Sequence, residues 1–244
     1  MKKIIAFTYG ILAYVVFLGA FLYAIGFVGQ LIVPKDINTG TENTLISSFI
    51  VNVLLLSVFA IQHSLMARPA FKKWITKFIS PAVERSTYVL LSSLALVLIF
   101  WQWQPMPYII WNVENETAAM VITGIFALGW LIVFLSTFMI NHFELFGLKQ
   151  IFDNLKNKTT PSPHFQVRLF YGIVRHPIML GFLIAFWATP MMTLGHLIFT
   201  VITTAYILVA VKFLEEKDLR KTIGKEYEAY QKRVPMLVPF SKRA

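Results

Sequence analysis

Apolar runs of membrane-crossing length occupy most of this chain, and they fix its solvent before anything else. They cover residues 4–33, 45–66, 86–103, 118–140, 178–194 and 196–213. A helix needs roughly 17–25 residues to cross a bilayer, and each run is near that range. In lipid every backbone N–H and C=O must be satisfied inside the chain, which leaves helices or a closed barrel. Runs this long and continuous predict an all-α integral membrane protein of about six transmembrane helices. The last two runs are short, with only Gly195 between them, so a tight helical hairpin is expected there. The first run follows Lys2-Lys3. It is longer than the roughly 7–15 apolar residues of a signal peptide, so it reads as a retained span. With 14% charged residues, little chain remains for a separate soluble domain, and a single polytopic membrane domain is expected.

Charge orients these spans. With the N-terminus in the cytoplasm and six crossings, all 22 Lys and Arg residues except Lys35 fall on the cytoplasmic side. Basic residues in short loops favour that side, so both termini are expected to be cytoplasmic. The formal charge of +10 is thereby assigned to orientation and to anionic lipid headgroups, not to nucleic acid. Trp101, Trp103, Tyr108 and Trp111 fit an outer interfacial aromatic belt. The chain has no cysteine, which excludes disulfides, thiolate metal sites and cysteine nucleophiles.

The informative polar residues gather at the predicted cytoplasmic ends of the runs. They include His63 and Arg68 after the second, Glu84 and Arg85 before the third, and Asn141, His142 and Glu144 after the fourth. Arg175, His176 and Pro177 precede the fifth, and Glu215-Glu216 follows the sixth. Ionisable residues at the edge of a membrane bundle are costly unless paired or used. Several have plain readings: Arg68 as a topological charge, His63 as an interfacial anchor, Glu84-Arg85 as a helix-start pair. At helical spacing His142 and Glu144 point to different faces, so one of the two can face a pocket. No His-x-x-His or His-x-x-x-His pair occurs, and no metal site is expected. Residues 154–163 read as a linker, with prolines that block helix continuation.

Pro177 suits a helix start, where its missing N–H costs little. The free amides there suit an anionic or polar ligand. Arg175 can clamp a carboxylate, and Glu215 or Glu216 can accept from hydroxyls or an ammonium. Lys212, four residues before Glu216, favours Glu216 over Glu215 for the ligand. A zwitterionic, ribose-bearing ligand such as S-adenosylmethionine fits this set.

The string Tyr171-x-x-x-Arg175-His176-Pro177 with Gly181 resembles the cofactor motif of the isoprenylcysteine carboxyl methyltransferase and phospholipid methyltransferase superfamily of membrane enzymes. The similarity continues through Glu215-Glu216, Tyr227, Tyr230 and Lys232-Arg233-Val234-Pro235. The resemblance implies S-adenosylmethionine held between the Arg-His-Pro segment and the glutamate pair, with Tyr171, Arg175, His176, Pro177, Gly181, Glu215 and Glu216 as cofactor residues. Met179 stands where that superfamily usually has tyrosine, which replaces an aromatic contact by an apolar one. The first 150 residues resemble the nurim-like proteins, through Gln62-His63-Ser64-Leu65-Met66-Ala67-Arg68-Pro69, Glu84-Arg85-Ser86-Thr87-Tyr88 and Asn141-His142-Phe143-Glu144. Over its whole length the chain resembles the bacterial members that methylate a small thiol, which implies methanethiol as acceptor and a bacterial cytoplasmic membrane as the location.

These readings divide the chain into substrate-side helices (residues 1–150) and a cofactor-binding part (residues 164–244). A thiol must ionise to become a good nucleophile. His63 or His142 is the expected proton acceptor, with Glu144 nearby and Arg68 or Arg85 stabilising the anion. A methyltransferase for a lipid, quinone or larger thiol, and a non-enzymatic membrane protein, remain as alternatives.

Overall fold

Backbone groups that cannot reach water are satisfied by helix in the computed structural model, which describes residues 1–159 and 165–241. In chain order the elements are α1 (Lys2–Gly29), α2 (Leu45–Ala67), α3 (Pro69–Ile75), α4 (Pro81–Gln102), β1 (Ile109–Asn112), α5 (Glu116–Ile140), α6 (His142–Leu145) and α7 (Leu148–Leu155). A 3₁₀ turn (Leu169–Gly172) leads to α8 (Pro177–Trp187), β2 (Met191–Thr193) and α9 (Leu194–Val209). A π-helical segment (Ala210–Glu215) then continues into α10 (Glu216–Ile223), and α11 (Lys225–Arg233) follows. The long helices start where the sequence supplies caps. Thr44 accepts from the Ser47 amide ahead of α2, and Ser80, with Pro81 at the first helical position, accepts from the Ala82 amide ahead of α4.

Among the described residues five helices are long and apolar enough to cross a membrane: α1, α2, α4, α5 and the continuous helix Leu194–Ile223. The chain is therefore a mostly helical integral membrane protein. The run expected over residues 178–194 is different. Its helix, α8, is only 11 residues long, about 16 Å at 1.5 Å per residue, against a hydrocarbon core of about 30 Å. The break falls after Trp187, not at Gly195, which is buried within α9. The intervening stretch is extended, and β2 pairs antiparallel with β1, so the fold carries one small two-stranded ladder beside its helices. The linker expected over residues 154–163 begins inside α7, and Pro161 and Pro163 lie outside the described residues.

The chain divides into two compact units, Met1–Pro107 with Asn141–Ser162, and Tyr108–Ile140 with Pro163–Ala244. The sequence boundary near residue 150 thus differs from the observed grouping, because α5 packs with α8 in the second unit.

In the first unit α1 and α2 pack on α4, and α7 packs on α1 and α4. Trp103, read above as a belt residue, is instead buried, and its indole N–H donates to the Ile37 carbonyl at 3.0 Å. Trp101 and Tyr108 are exposed as an interfacial belt requires. The Asn52 side chain both donates to and accepts from the backbone of Gln104, at 2.8 and 2.9 Å, and so fixes the chain leaving α4.

In the second unit α5 and α8 meet backbone to backbone. A Cβ on Gly181 would lie 2.7 Å from the Gly129 carbonyl oxygen, and one on Gly129 2.7 Å from the Ala185 amide. Small residues that permit such approach are a common device for packing membrane helices. Farther along, the Val113 amide donates to Pro190 O at 3.0 Å. Helix α8 and the extended stretch after it therefore run antiparallel to α5, from near Val133 to beyond its N-terminal end. The C-terminus of α8 is held by side chains of α9: His196 Nε2 lies 3.1 Å from Phe186 O, and the Thr200 hydroxyl donates to the same oxygen at 3.0 Å. His196 thus holds the helix break together.

Candidate functional site

In the second unit the residues just before α8 meet the start of α10. The Arg175 guanidinium is buried, at 3% exposure, and donates through Nε to Glu216 Oε1 at 2.6 Å. Its Nη1 donates to the carbonyls of Val234 at 2.6 Å and Gln231 at 3.2 Å. Main-chain bonds extend the junction: the Arg175 amide donates to Pro235 O and the His176 amide to Met236 O. Arg175 thus ties the segment after α11 to the entry of α8. The carboxylate clamp expected of this arginine is made here onto Glu216.

Glu216, at 5% exposure, is surrounded. Besides Arg175, its Oε1 lies 3.1 Å from His176 Nε2 and accepts from Tyr227 at 3.4 Å, while Oε2 accepts from Gln231 at 2.8 Å. The ion pair expected with Lys212 gives way to a different contact, because Lys212 lies over the Phe213 ring. The physical reason is the π-helical segment, whose i→i+5 bonding changes the register on which an i,i+4 pairing relies. Glu215, its side chain 43% exposed, lies 3.5 Å from His176 Nδ1. Burial opposes charge on His176, but hydrogen bonds and Coulomb attraction to Glu215 and Glu216 outweigh it, and the imidazole is pushed up to about 9. At neutral pH the ring is a buried cation between two carboxylates.

The other motif residues divide between support and access. Tyr171 takes the Tyr230 hydroxyl on its carbonyl at 2.5 Å. Met179 packs against Ile207, Val211 and Leu237. Gly181 turns its bare Cα toward α5, so its requirement for glycine is met by helix packing. Pro177 stands at the first position of α8, and the His176 side chain caps none of the amides of the first turn. An uncapped helix start and a half-exposed carboxylate beside an imidazolium make a donor set for a zwitterionic ligand.

In the first unit, four elements bring a second polar group together. The ring of His63 lies flat on Phe59, centroids 5.1 Å apart. Its Nδ1 is 3.2 Å from Ser92 Oγ, and the Tyr88 hydroxyl is within 3.1 Å of both ring nitrogens. Arg85 donates to Leu145 O at 2.6 Å and lies over the Tyr88 ring, so the expected Glu84–Arg85 pair is not its contact. Glu84 does stand in the first turn of α4. Arg68 donates to Ser64 O at 3.2 Å. Asn141 caps α6 by accepting from the Glu144 amide, and its own amide donates to Glu144 Oε2 at 2.8 Å. The Glu144 carboxylate therefore serves the cap. His142, on the other face, is buried, with Nε2 2.7 Å from the Tyr14 hydroxyl. Burial lowers the His142 pKa, which leaves the ring neutral at pH 7.

Sequence reasoning missed Tyr14, Ser92, Gln231, the contact of Tyr88 with His63 and the role of the chain after α11. A lone tyrosine in an apolar run carries no spacing signal, and backbone acceptors carry none at all.

The model of the NnrU protein family matches residues 51–239. A Mycobacterium tuberculosis protein named methanethiol S-methyltransferase is 51% identical, over 100% of this chain and 99% of its own. A Bradyrhizobium diazoefficiens protein named methanethiol S-methyltransferase 1 is 53% identical over 98% of this chain and 84% of its own. Nurim of Xenopus laevis is 30% identical over 72% of this chain and 65% of its own. No solved structure matches the chain.

Proposed function

The chain belongs to the NnrU protein family, and from that premise we propose that it methylates methanethiol to dimethyl sulfide within the membrane, with S-adenosylmethionine as donor. The observation that carries this reading is the near-complete alignment, at about half identity, with enzymes named for that reaction. The chain is on this reading an enzyme that transfers a methyl group to a thiol.

The residues before α8 and after α9 fit the donor. The uncapped amides of the first turn of α8 suit its carboxylate, and Glu215 suits its ammonium or ribose hydroxyls. Arg175, His176 and Glu216 hold that frame, with Tyr171 and Met179 as its wall and Pro177 fixing the entry to α8. S-adenosylmethionine supplies a methyl carbon on a sulfonium. The protein's part is to orient the acceptor, exclude water and remove the thiol proton. In the first unit we assign proton acceptance to a histidine, His142 or His63, and anion stabilisation to Arg85 or Arg68.

We place both termini in the cytoplasm of a bacterial cell. The basic loops favour an even number of crossings, and α8 with its extended continuation supplies the sixth. Non-helical backbone is tolerated at membrane depth where protein covers it.

The test is headspace detection of dimethyl sulfide from purified protein with methanethiol and S-adenosylmethionine. It is run beside calorimetric titration with S-adenosylhomocysteine of wild type and Glu215→Ala. Product formation, and binding that Glu215→Ala weakens by tenfold or more, is the expected result. Binding without product points to another acceptor. A folded protein that binds nothing puts the non-enzymatic reading in its place.

A further inference from the structure

One polar contact in the first unit has a geometry that the fold alone does not require. Tyr14 lies in the middle of α1, a mostly apolar helix, and its hydroxyl meets His142 Nε2 at 2.7 Å. Polar groups placed in membrane helices are costly and are kept where they are used. The pair is walled by aromatic rings: Phe146 sits 4.8 Å from the His142 ring centroid, and Phe17 stacks on Phe146 at 4.0 Å. His63 is different, because the hydroxyls of Tyr88 and Ser92 already meet its ring nitrogens, and it joins α2 to α4.

We propose that Tyr14 and His142 form the proton relay for the acceptor thiol, with the Tyr14 hydroxyl facing the thiol and His142 as the final acceptor. This rests on the thiol-methylating reading above. In the step, the thiol S–H bond breaks and its proton moves to the Tyr14 oxygen. The tyrosine's own proton passes to His142 Nε2, leaving a thiolate and an imidazolium. The thiolate lone pair then forms the new S–C bond as the donor's S–C bond breaks, its electron pair staying on the departing thioether sulfur. The His142 proton returns through Tyr14 to solvent. A neutral relay suits this site, since the aromatic wall disfavours a standing charge. Titratable and charged groups on the elements packed with α6 include Tyr14 on α1, Arg85 on α4, bonded to Leu145 O, and the Lys149–Asp153 pair on α7, with Glu144 in the cap of α6 itself.

The experiment compares Tyr14→Phe with Tyr9→Phe, which removes a hydroxyl from the same helix that donates to Thr87 at 3.0 Å. Rates of dimethyl sulfide formation are measured from pH 6.5 to 10. Tyr14→Phe is expected to lose about 100-fold at pH 7, the scale of general base catalysis. The deficit is expected to shrink as the pH rises, because more thiol arrives already ionised. A Tyr14→Phe, His142→Gln double variant is expected to be no slower than the slower single variant. Tyr9→Phe is expected to keep the wild-type profile, and S-adenosylhomocysteine affinity is expected to stay unchanged throughout. A deficit that is constant across pH, or Tyr14→Phe as active as Tyr9→Phe, overturns the relay. If the wild type binds S-adenosylhomocysteine but leaves methanethiol untouched, the relay falls with its acceptor. If it binds neither, the methyltransferase reading itself has failed.

Discussion

The two units handle their polar residues in opposite ways. In the second unit Arg175, His176 and Glu216 form a buried ionic network held by several bonds, with the half-exposed Glu215 beside His176. In the first, His142 meets the Tyr14 hydroxyl and His63 the hydroxyls of Tyr88 and Ser92. A buried charge must be matched or the fold loses several kcal/mol, so the ionic network is over-determined. A neutral histidine makes a smaller demand. On the proposed function, the second unit holds the donor's frame and the first exchanges a proton. The largest expected effect follows from this. Glu216→Ala leaves Arg175 and His176 buried without their shared partner, a change that costs about 3–5 kcal/mol in such sites. Its thermal midpoint in detergent is expected to fall by roughly 10 °C, whereas His63→Ala or His142→Ala is expected to move it by only a fraction of that.

Above neutral pH the same contrast makes stability depend on pH through His176 of the second unit. His176 is held at about 9 in the fold, against about 6.5 in an unfolded chain. A raised histidine contributes stability that is fully present below the unfolded value and is lost as pH rises through the folded one. The window is therefore pH 6.5 to 9, and the loss is on the order of 3 kcal/mol. A wild-type melting temperature that falls across this window, and a His176→Gln variant in which that slope is gone, is the expected pair of results. His142 is shifted the other way by burial, so removing it should leave the slope in place.

A smaller effect separates packing from ligand binding within the second unit. Gly181→Ala places a methyl 2.7 Å from the Gly129 carbonyl oxygen and 2.9 Å from the Val133 amide. Neither backbone atom can yield cheaply, and overpacking of this kind costs about 1–3 kcal/mol. The variant is expected to melt lower yet bind S-adenosylhomocysteine with wild-type affinity once folded. A lost affinity with an unchanged melting point would return Gly181 to the ligand site.

What the sequence disclosed follows the same division. Charges in an apolar chain are conspicuous, so Arg175, His176 and the Glu215-Glu216 pair were legible, as were the membrane class and the long helices. Their partners were not. Arg175 bonds to the carbonyls of Gln231 and Val234, and any residue can supply a carbonyl. The π-helical turn before Glu216 has no sequence signature here, so the i,i+4 argument from Lys212 chose a contact that does not form. Trp103 was placed in a lipid-facing belt because its indole suits an interface, but the Ile37 carbonyl gives that indole a partner inside. Tyr14 stayed hidden because its meaning comes only from α6, more than a hundred residues away.

The smallest expected change in stability tests whether the neutral site is as loosely held as it looks. Asn141→Ala removes the cap of α6 and the partner of Glu144 Oε2. Loss of such a cap costs about 1 kcal/mol, which in a chain of this size lowers the melting temperature by roughly 2–4 °C. Activity should respond far more. Without the cap α6 is held less firmly at the angle at which His142 meets Tyr14, and misplacing a proton acceptor by about 1 Å can cost 100-fold in rate. Melting curves and dimethyl sulfide formation measured on the same preparation read the two effects together. A small drop in melting temperature with a large loss of rate is what a site held by neutral hydrogen bonds predicts. Equal, modest losses in both would mean that α6 merely ends a helix, and that the first unit's histidines are as much scaffold as the second unit's ions.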